Sequence, residues 1–145
     1  MTLEPLPALD CACASLRRAA RAVTQAYDAA LQGTGLRATQ FTLLQALERR
    51  GASPQGALGE LLALDPTTLT RTLRPLAGAG WIRSTVGSDR REVRWTLTPA
   101  GRRRLARARA PWERAQARLR AGLQPRHWTM LVEDLAVVAA AARRA

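Results

Sequence analysis

The sequence predicts a mainly α-helical fold carrying one small β-hairpin, and three observations predict it. Apolar residues recur at spacings of three and four over most of the chain, the helical period. Between Trp81 and Leu97 the period changes to two, the signature of half-buried strands. At Ser53-Pro54, Asp65-Pro66 and Thr98-Pro99, a side chain able to cap a helix stands directly before a proline. Proline suits the first helical position, because the N–H it lacks has no partner there. The 145 residues, 47% apolar and 23% charged, suffice for one domain with a core and an extension.

The first helix is expected over residues 8–31, with Asp10 as its N-cap. Leu16, Ala20, Val23, Tyr27 and Leu31 form its buried stripe, and Gly33-Thr-Gly35 lies past its end. Thr39 offers an N-cap for a helix over 40–50, with Phe41, Leu44 and Leu47 on one face and Gly51 at its close. Ser53-Pro54 opens a short helix over 55–63, cored by Leu58, Leu61 and Leu62. Asp65-Pro66 opens another over 66–79, buried through Leu69, Leu73 and Leu76. Two capped helices joined by a tight turn form a helix-turn-helix.

Strands follow at 81–86 and 93–97, with a basic tip between them. A two-stranded ribbon adds little stability alone, so it must lean on the helix-turn-helix as a wing. Thr98-Pro99 caps a helix over 100–119 with Leu105, Trp112 and Leu119 on one side, and Pro111 should kink or split it. A last helix over 125–143 is expected to turn Leu131, Leu135 and Val138 inward. The terminal helices present apolar stripes that the small central unit cannot cover, so a homodimer built from them is expected. The chain divides accordingly into a dimerisation helix (1–36), a winged helix-turn-helix unit (37–98) and C-terminal dimerisation helices (99–145).

The charge is lopsided: 23 basic residues, every one an arginine, against 11 acidic ones give +12. Such an excess needs a counter-surface, and nucleic acid and anionic lipid are the usual ones. No apolar run approaches the ~20 residues that cross a bilayer, and the start lacks a signal-peptide pattern; a soluble cytoplasmic protein is expected. Enzyme classes fare poorly. There is no CxxC, no HExxH and no glycine-rich phosphate loop. His127 is the only histidine, and its place near a helix start suits a solvated or capping role. No catalytic residue, metal or cofactor is expected.

On a wheel of about 100° per residue, Leu69, Leu73 and Leu76 of the second helix of the pair fall together. Thr67, Thr70, Arg71 and Arg74 fall on the far side. Arginine reads guanine bidentately in a major groove, and threonine reaches a phosphate or a thymine methyl. Pro75 removes the hydrogen bond back to Arg71 and should bend the helix end away from a duplex. The ribbon tip carries Asp89, Arg90 and Arg91, with Arg83 and Arg94 on the flanking strands. An arginine in a narrow minor groove senses its enhanced negative potential. Arg91 is assigned that place, Arg90 a phosphate, and Asp89 the task of holding an arginine by a salt bridge.

The run Asp65-Pro-Thr-Thr-Leu-Thr-Arg-Thr-Leu-Arg-Pro-Leu, then Gly80-Trp-Ile-Arg, Asp89-Arg-Arg91 and Leu97-Thr-Pro-Ala-Gly101 resembles the winged helix-turn-helix of the MarR family. The resemblance extends over nearly the whole chain, because that family dimerises through its first and last helices. It implies a dimeric repressor of bacterial genes that binds a pseudo-palindromic double-stranded operator and lets go when a small ligand or oxidant arrives. It gives Thr67, Thr68, Arg71 and Arg74 the recognition-helix role, and Asp89 and Arg91 the wing role. For helix-turn-helix dimers the half-sites lie about 10 bp apart. A cleft between the terminal helices and the winged unit would take an organic ligand. Two rivals share the fold: a non-specific DNA-binding protein, which the charge alone would support, and a protein-interaction adaptor.

Cys11 and Cys13 are placed in the first helical turn, where unpaired N–H groups favour an anionic sulfur. Two residues on a helix subtend about 200°, so the thiols point apart and bridge more readily between subunits than within one. The stretch from Cys13 to Tyr27 also resembles the first helix of the family's organic-hydroperoxide sensors, with Cys13 at the reactive position. It departs from them at Arg17 and Phe41, where those sensors carry tyrosine hydroxyls, and in having no distal cysteine. Three readings stand for the pair: inert residues, a redox switch through a sulfenic acid trapped as a disulfide, or a site for a thiophilic metal or metalloid shared by two subunits.

Overall fold

The structure, a computed structural model, describes residues 4–143. Six helices and three strands follow in the order α1 (Ala12–Leu31), α2 (Ala38–Arg50), β1 (Ser53–Pro54), α3 (Gln55–Leu62), α4 (Pro66–Gly78), β2 (Ile82–Val86), β3 (Val93–Leu97), α5 (Pro99–Ala121) and α6 (Pro125–Ala142). A single 3-10 turn, Gln32–Thr34, follows α1. The sheet is antiparallel in the order β1-β3-β2, with Trp95 opposite both Ser53 and Ser84.

One core joins α1 through α5. Leu31 closes α1 against Phe41, Leu43, Leu44 and Leu47 of α2, all 1% exposed or less. Leu58 of α3, Leu73 and Leu76 of α4 and Leu105 of α5 complete it from the other sides. The expected leucine face of α4 is the face that is buried, and the expected Phe41, Leu44 and Leu47 face of α2 is buried as well. Arg104 of α5 lies over the Trp81 ring at 4.6 Å and donates to the Thr34 carbonyl at 2.8 Å, fastening α5 to the turn after α1.

Several boundaries differ from expectation, each for a tertiary reason. Cys11, not Asp10, occupies the N-cap of α1. The Pro7 and Leu9 carbonyls are taken by the side chains of Arg18 (2.8 Å) and Ser15 (3.4 Å), which hold the preceding segment outside the helix. Thr39 lies inside α2, whose N-cap is Arg37. The carboxylate of Asp28, on α1, accepts the Ala38 N–H at 2.7 Å and so caps α2 from another element. Ser53-Pro54 forms a third strand where a helix start was expected, and Ser53 is buried.

Pro111 neither splits nor ends α5, which is one helix held on both sides by buried Leu105 and Ala108 and by Trp112 against Phe41. Pro75 likewise sits within an unbroken α4. The apolar stripe of α6 is not covered within one chain. None of its residues is buried, and Leu131, Leu135 and Val138 remain 40%, 44% and 44% exposed. Within one chain α6 leans mainly on α5, and its apolar stripe stays open. Leu16 of α1 is similarly exposed.

Candidate nucleic-acid interface

The site begins with Asp65. Its Oδ1 accepts the N–H groups of Thr67 and Thr68, both at 3.0 Å, and its Oδ2 accepts the Thr68 hydroxyl at 2.5 Å. These bonds satisfy two of the orphan donors at the start of α4. They also favour the charged carboxylate: the Thr68 hydroxyl first, then the backbone bonds, hold the Asp65 carboxyl below its ordinary value. Pro66 at the first position completes the start. Ahead of it, Ala63 takes the left-handed conformation at φ 50° to close α3, and Leu64 donates to the Gly59 carbonyl at 2.9 Å. That turn sets the angle between the two helices.

With α4 fixed by its buried leucines, Thr67, Thr68, Thr70, Arg71 and Arg74 stand on the exposed side. A shallow groove of about 360 Å³ runs along Pro66, Thr67, Thr70, Arg71 and Arg74. The threonines are not equivalent. Thr68 donates its hydroxyl to Asp65, and Thr70 donates to the Pro66 carbonyl at 2.8 Å. Among the described residues, Thr67 is the one of the three whose hydroxyl donates to no protein acceptor, which leaves it able to donate to a phosphate oxygen. Arg71 and Arg74 pair with no carboxylate among the described residues.

The wing carries a second basic group, Arg90 and Arg91. Gly87 donates to the Glu92 carbonyl at 2.8 Å, and Glu92 to that of Asp89 at 2.9 Å, closing the tip. Among the described residues Asp89 forms no salt bridge, contrary to expectation. Its Oδ1 accepts the backbone N–H of Arg91 at 3.0 Å, so it shapes the turn and leaves both guanidiniums free. Arg90 and Arg91 are exposed. Arg94 is engaged elsewhere, with Glu92 at 3.0 Å and the Ala52 carbonyl at 2.9 Å, tying the wing to the chain before β1. Gln55 adds a second tie that the sequence did not signal, accepting from the Trp95 indole at 2.9 Å. A two-residue strand carries no periodicity, so nothing in the pattern could have placed Gln55 there.

The base of the wing is equally defined. Thr98 accepts the Gly101 N–H at 3.0 Å and donates to the Gly80 carbonyl at 2.7 Å. A Cβ on Gly101 would meet the Trp81 carbonyl oxygen directly and come within 2.8 Å of Leu97. The Leu-Thr-x-x-Gly spacing thus reflects a close approach of α5 to the sheet.

The sequence profile of the MarR family matches residues 36–93. The structure is similar to that of the M. tuberculosis transcriptional regulator MosR in complex with DNA, at 37% identity and a TM-score of 0.82, covering 92% of this chain and 97% of that one. This chain belongs to the MarR family. Another structural neighbour is BpsR of Bordetella bronchiseptica, whose structure was solved for the regulation of its DNA binding by 6-hydroxynicotinic acid. It is 25% identical, with a TM-score of 0.82 and coverage of 94% and 98%. The uncharacterized HTH-type transcriptional regulator YwoH of Bacillus subtilis is 29% identical over 83 residues, which span 57% of this chain and 61% of YwoH.

The remaining expectations concern groups away from α4 and the wing. Cys11 and Cys13 are free and exposed, at the N-cap and the second position of α1. Tyr27 donates to Gln116 of α5 and stacks on Trp112, so its hydroxyl is committed to the α1–α5 contact. No group of three or more potential metal ligands occurs among the described residues. No described helix is long and apolar enough to cross a membrane.

Proposed function

We propose that this MarR-family chain is a dimeric, sequence-specific, double-stranded-DNA-binding transcription regulator of the cytoplasm. It represses by occupying a pseudo-palindromic operator and is released by a small organic ligand or by oxidation of Cys13. The observation that carries this reading is the two-sided character of α4. Leu69, Leu73 and Leu76 are 2%, 2% and 0% exposed, and the opposite side holds Arg71 and Arg74, without carboxylate partners among the described residues, beside Thr67.

Arg71 and Arg74 would meet base edges, Thr67 a phosphate, and Arg91 the adjacent minor groove with Arg90 on the backbone. Thr68, Thr70 and Asp89 serve by shaping the surfaces that carry the readers. The MosR–DNA complex supports duplex DNA as the partner, and BpsR supports control by a small organic molecule. Residues 1–36 and 99–145 would supply the dimer, whose second copy covers the open stripe of α6. In the oxidative branch, a peroxide takes the Cys13 thiolate to a sulfenic acid with loss of an alcohol or water. A second thiol then displaces water from it to form a disulfide.

Substitution of the reading arginines tests the reading. Arg71→Ala should narrow the gap between operator and scrambled duplex, whereas Arg91→Ala should weaken binding and lower the salt slope by about one. A non-specific binder would show no selectivity to lose, and an adaptor would be indifferent to both changes. Cys13→Ser should leave DNA binding intact and abolish release by peroxide.

A further inference from the structure

One cavity lies apart from both the Arg71–Arg74 groove of α4 and the α1–α5 contact. It is a pocket of about 720 Å³ beneath the wing, bounded by α3, the α3–α4 turn, the start of α4, β3 and the end of α6. Its apolar surface is aliphatic: Ala63, Leu64, Leu69 and Val93, with no aromatic ring among the lining residues. Two guanidiniums reach it from different elements, Arg91 from the wing tip and Arg143 from the end of α6, against one carboxylate, Glu60. Arg143 is held loosely, with a single 3.4 Å bond to the Glu60 carbonyl, and Arg91 has no carboxylate partner among the described residues.

We propose that this pocket binds an organic carboxylate with a bulky or extended aliphatic body, the carboxylate lying between Arg91 and Arg143 and the body on Leu64, Leu69 and Val93. Pockets for small organic ligands have this size and this mixture of apolar wall and few converging polar groups. A carboxylate accepts two parallel bonds from a guanidinium, so two arginines in one lining select it over a neutral head group. The absence of a ring to stack on favours an aliphatic body over a flat aromatic one.

The inference deepens the proposed function and rests on it in one respect: Arg91 is the residue there assigned to the minor groove. A ligand that engages Arg91 withdraws it from DNA, and the two ligands become mutually antagonistic by the same factor in each direction. The pocket also joins α6, on the dimer side, to the wing. Occupancy would therefore be felt by both the reading head and the helix that sets its spacing.

Decanoate serves as the probe, titrated calorimetrically into the full-length protein and into Arg143→Ala, Arg143→Lys and Leu64→Trp. Wild type should bind, Arg143→Ala should bind about tenfold more weakly, Arg143→Lys should recover part of the loss, and Leu64→Trp should block the pocket. DNA affinity measured without decanoate should be the same for wild type and Arg143→Ala, and decanoate should weaken DNA binding in the wild type only. Absence of decanoate binding, or equal binding by all four proteins as the open face of α6 would give, overturns the proposal. If no protein prefers its operator, the proposed function fails while calorimetry still decides the pocket.

Discussion

Asp65 and Thr68 form a closed pair at the start of α4: the carboxylate receives both the backbone N–H of Thr68 at 3.0 Å and its hydroxyl at 2.5 Å. One residue therefore fixes the first turn of the helix that carries Thr67, Arg71 and Arg74. Asp65→Ala should fray that turn, lower the melting temperature and blunt operator selectivity more than Thr68→Ala, which loses only the hydroxyl bond. The pH dependence follows from the lowered carboxyl. A group whose folded value is depressed contributes stability above its ordinary value of 3.8 and loses it as the pH falls through the lowered one. Melting curves below pH 4 should fall less steeply for Asp65→Asn than for wild type.

Tyr27 is the chain's one tyrosine, and the chain has no lysine, so its alkaline titration is read without interference from either. Burial against Trp112 raises its hydroxyl above the ordinary value of 10.0. The absorbance change near 295 nm should thus come later in the native protein than after denaturation. Because the folded value is the higher one, the stabilisation is fully present below pH 10 and is lost as the pH rises through the folded value. Tyr27→Phe should remove that alkaline loss while also removing the Gln116 bond.

Gly101→Ala places a methyl group against the Trp81 carbonyl and within 2.8 Å of Leu97. Overpacking of this kind costs about 1–3 kcal/mol, readable by urea denaturation. The shift should fall on the attachment of α5 to the sheet. Gly78→Ala, at an exposed position with no atom within 4 Å, is the control and should cost nothing comparable.

Exposure of Leu131, Leu135 and Val138 at 40–44% makes α6 the face on which the proposed dimer stands or falls. Leu131→Asp with Leu135→Asp should convert a sedimenting dimer to monomer and remove the concentration dependence of the melting temperature. Neither residue belongs to the core of the winged unit, so helical content should persist.

What was legible in the sequence was whatever local chemistry determines. Asp65-Pro66 and Thr98-Pro99 are caps made by neighbours, and both stand where the pattern put them. The two wing strands and the leucine face of α4 follow from periods of 2 and 3.6, and they too agree. What was not legible was made across the fold. Thr39 looked like a cap because Asp28, ten residues before Ala38, cannot be recognised as one from spacing. Ser53-Pro54 has the same signature as Asp65-Pro66, yet it pairs with β3 because Trp95 and Arg94 lie opposite it. Asp89 was expected to act through charge and acts through an N–H, a choice decided by turn geometry. The stripe on α6 was legible as apolar, and within one chain it stays open, as expected of a face that the central unit cannot cover.

The central claim is that α4 and the wing read a particular duplex and do more than neutralise phosphates. Its most direct test is a titration of reduced protein against DNA from upstream of its own gene, beside a scrambled duplex of the same length. Near-physiological salt is required, because at low salt a net charge of +12 binds any duplex. The expected preference is about 10³-fold or more, narrowed in Arg71→Ala. Equal, salt-sensitive binding to both duplexes, unchanged by Arg71→Ala, would contradict it.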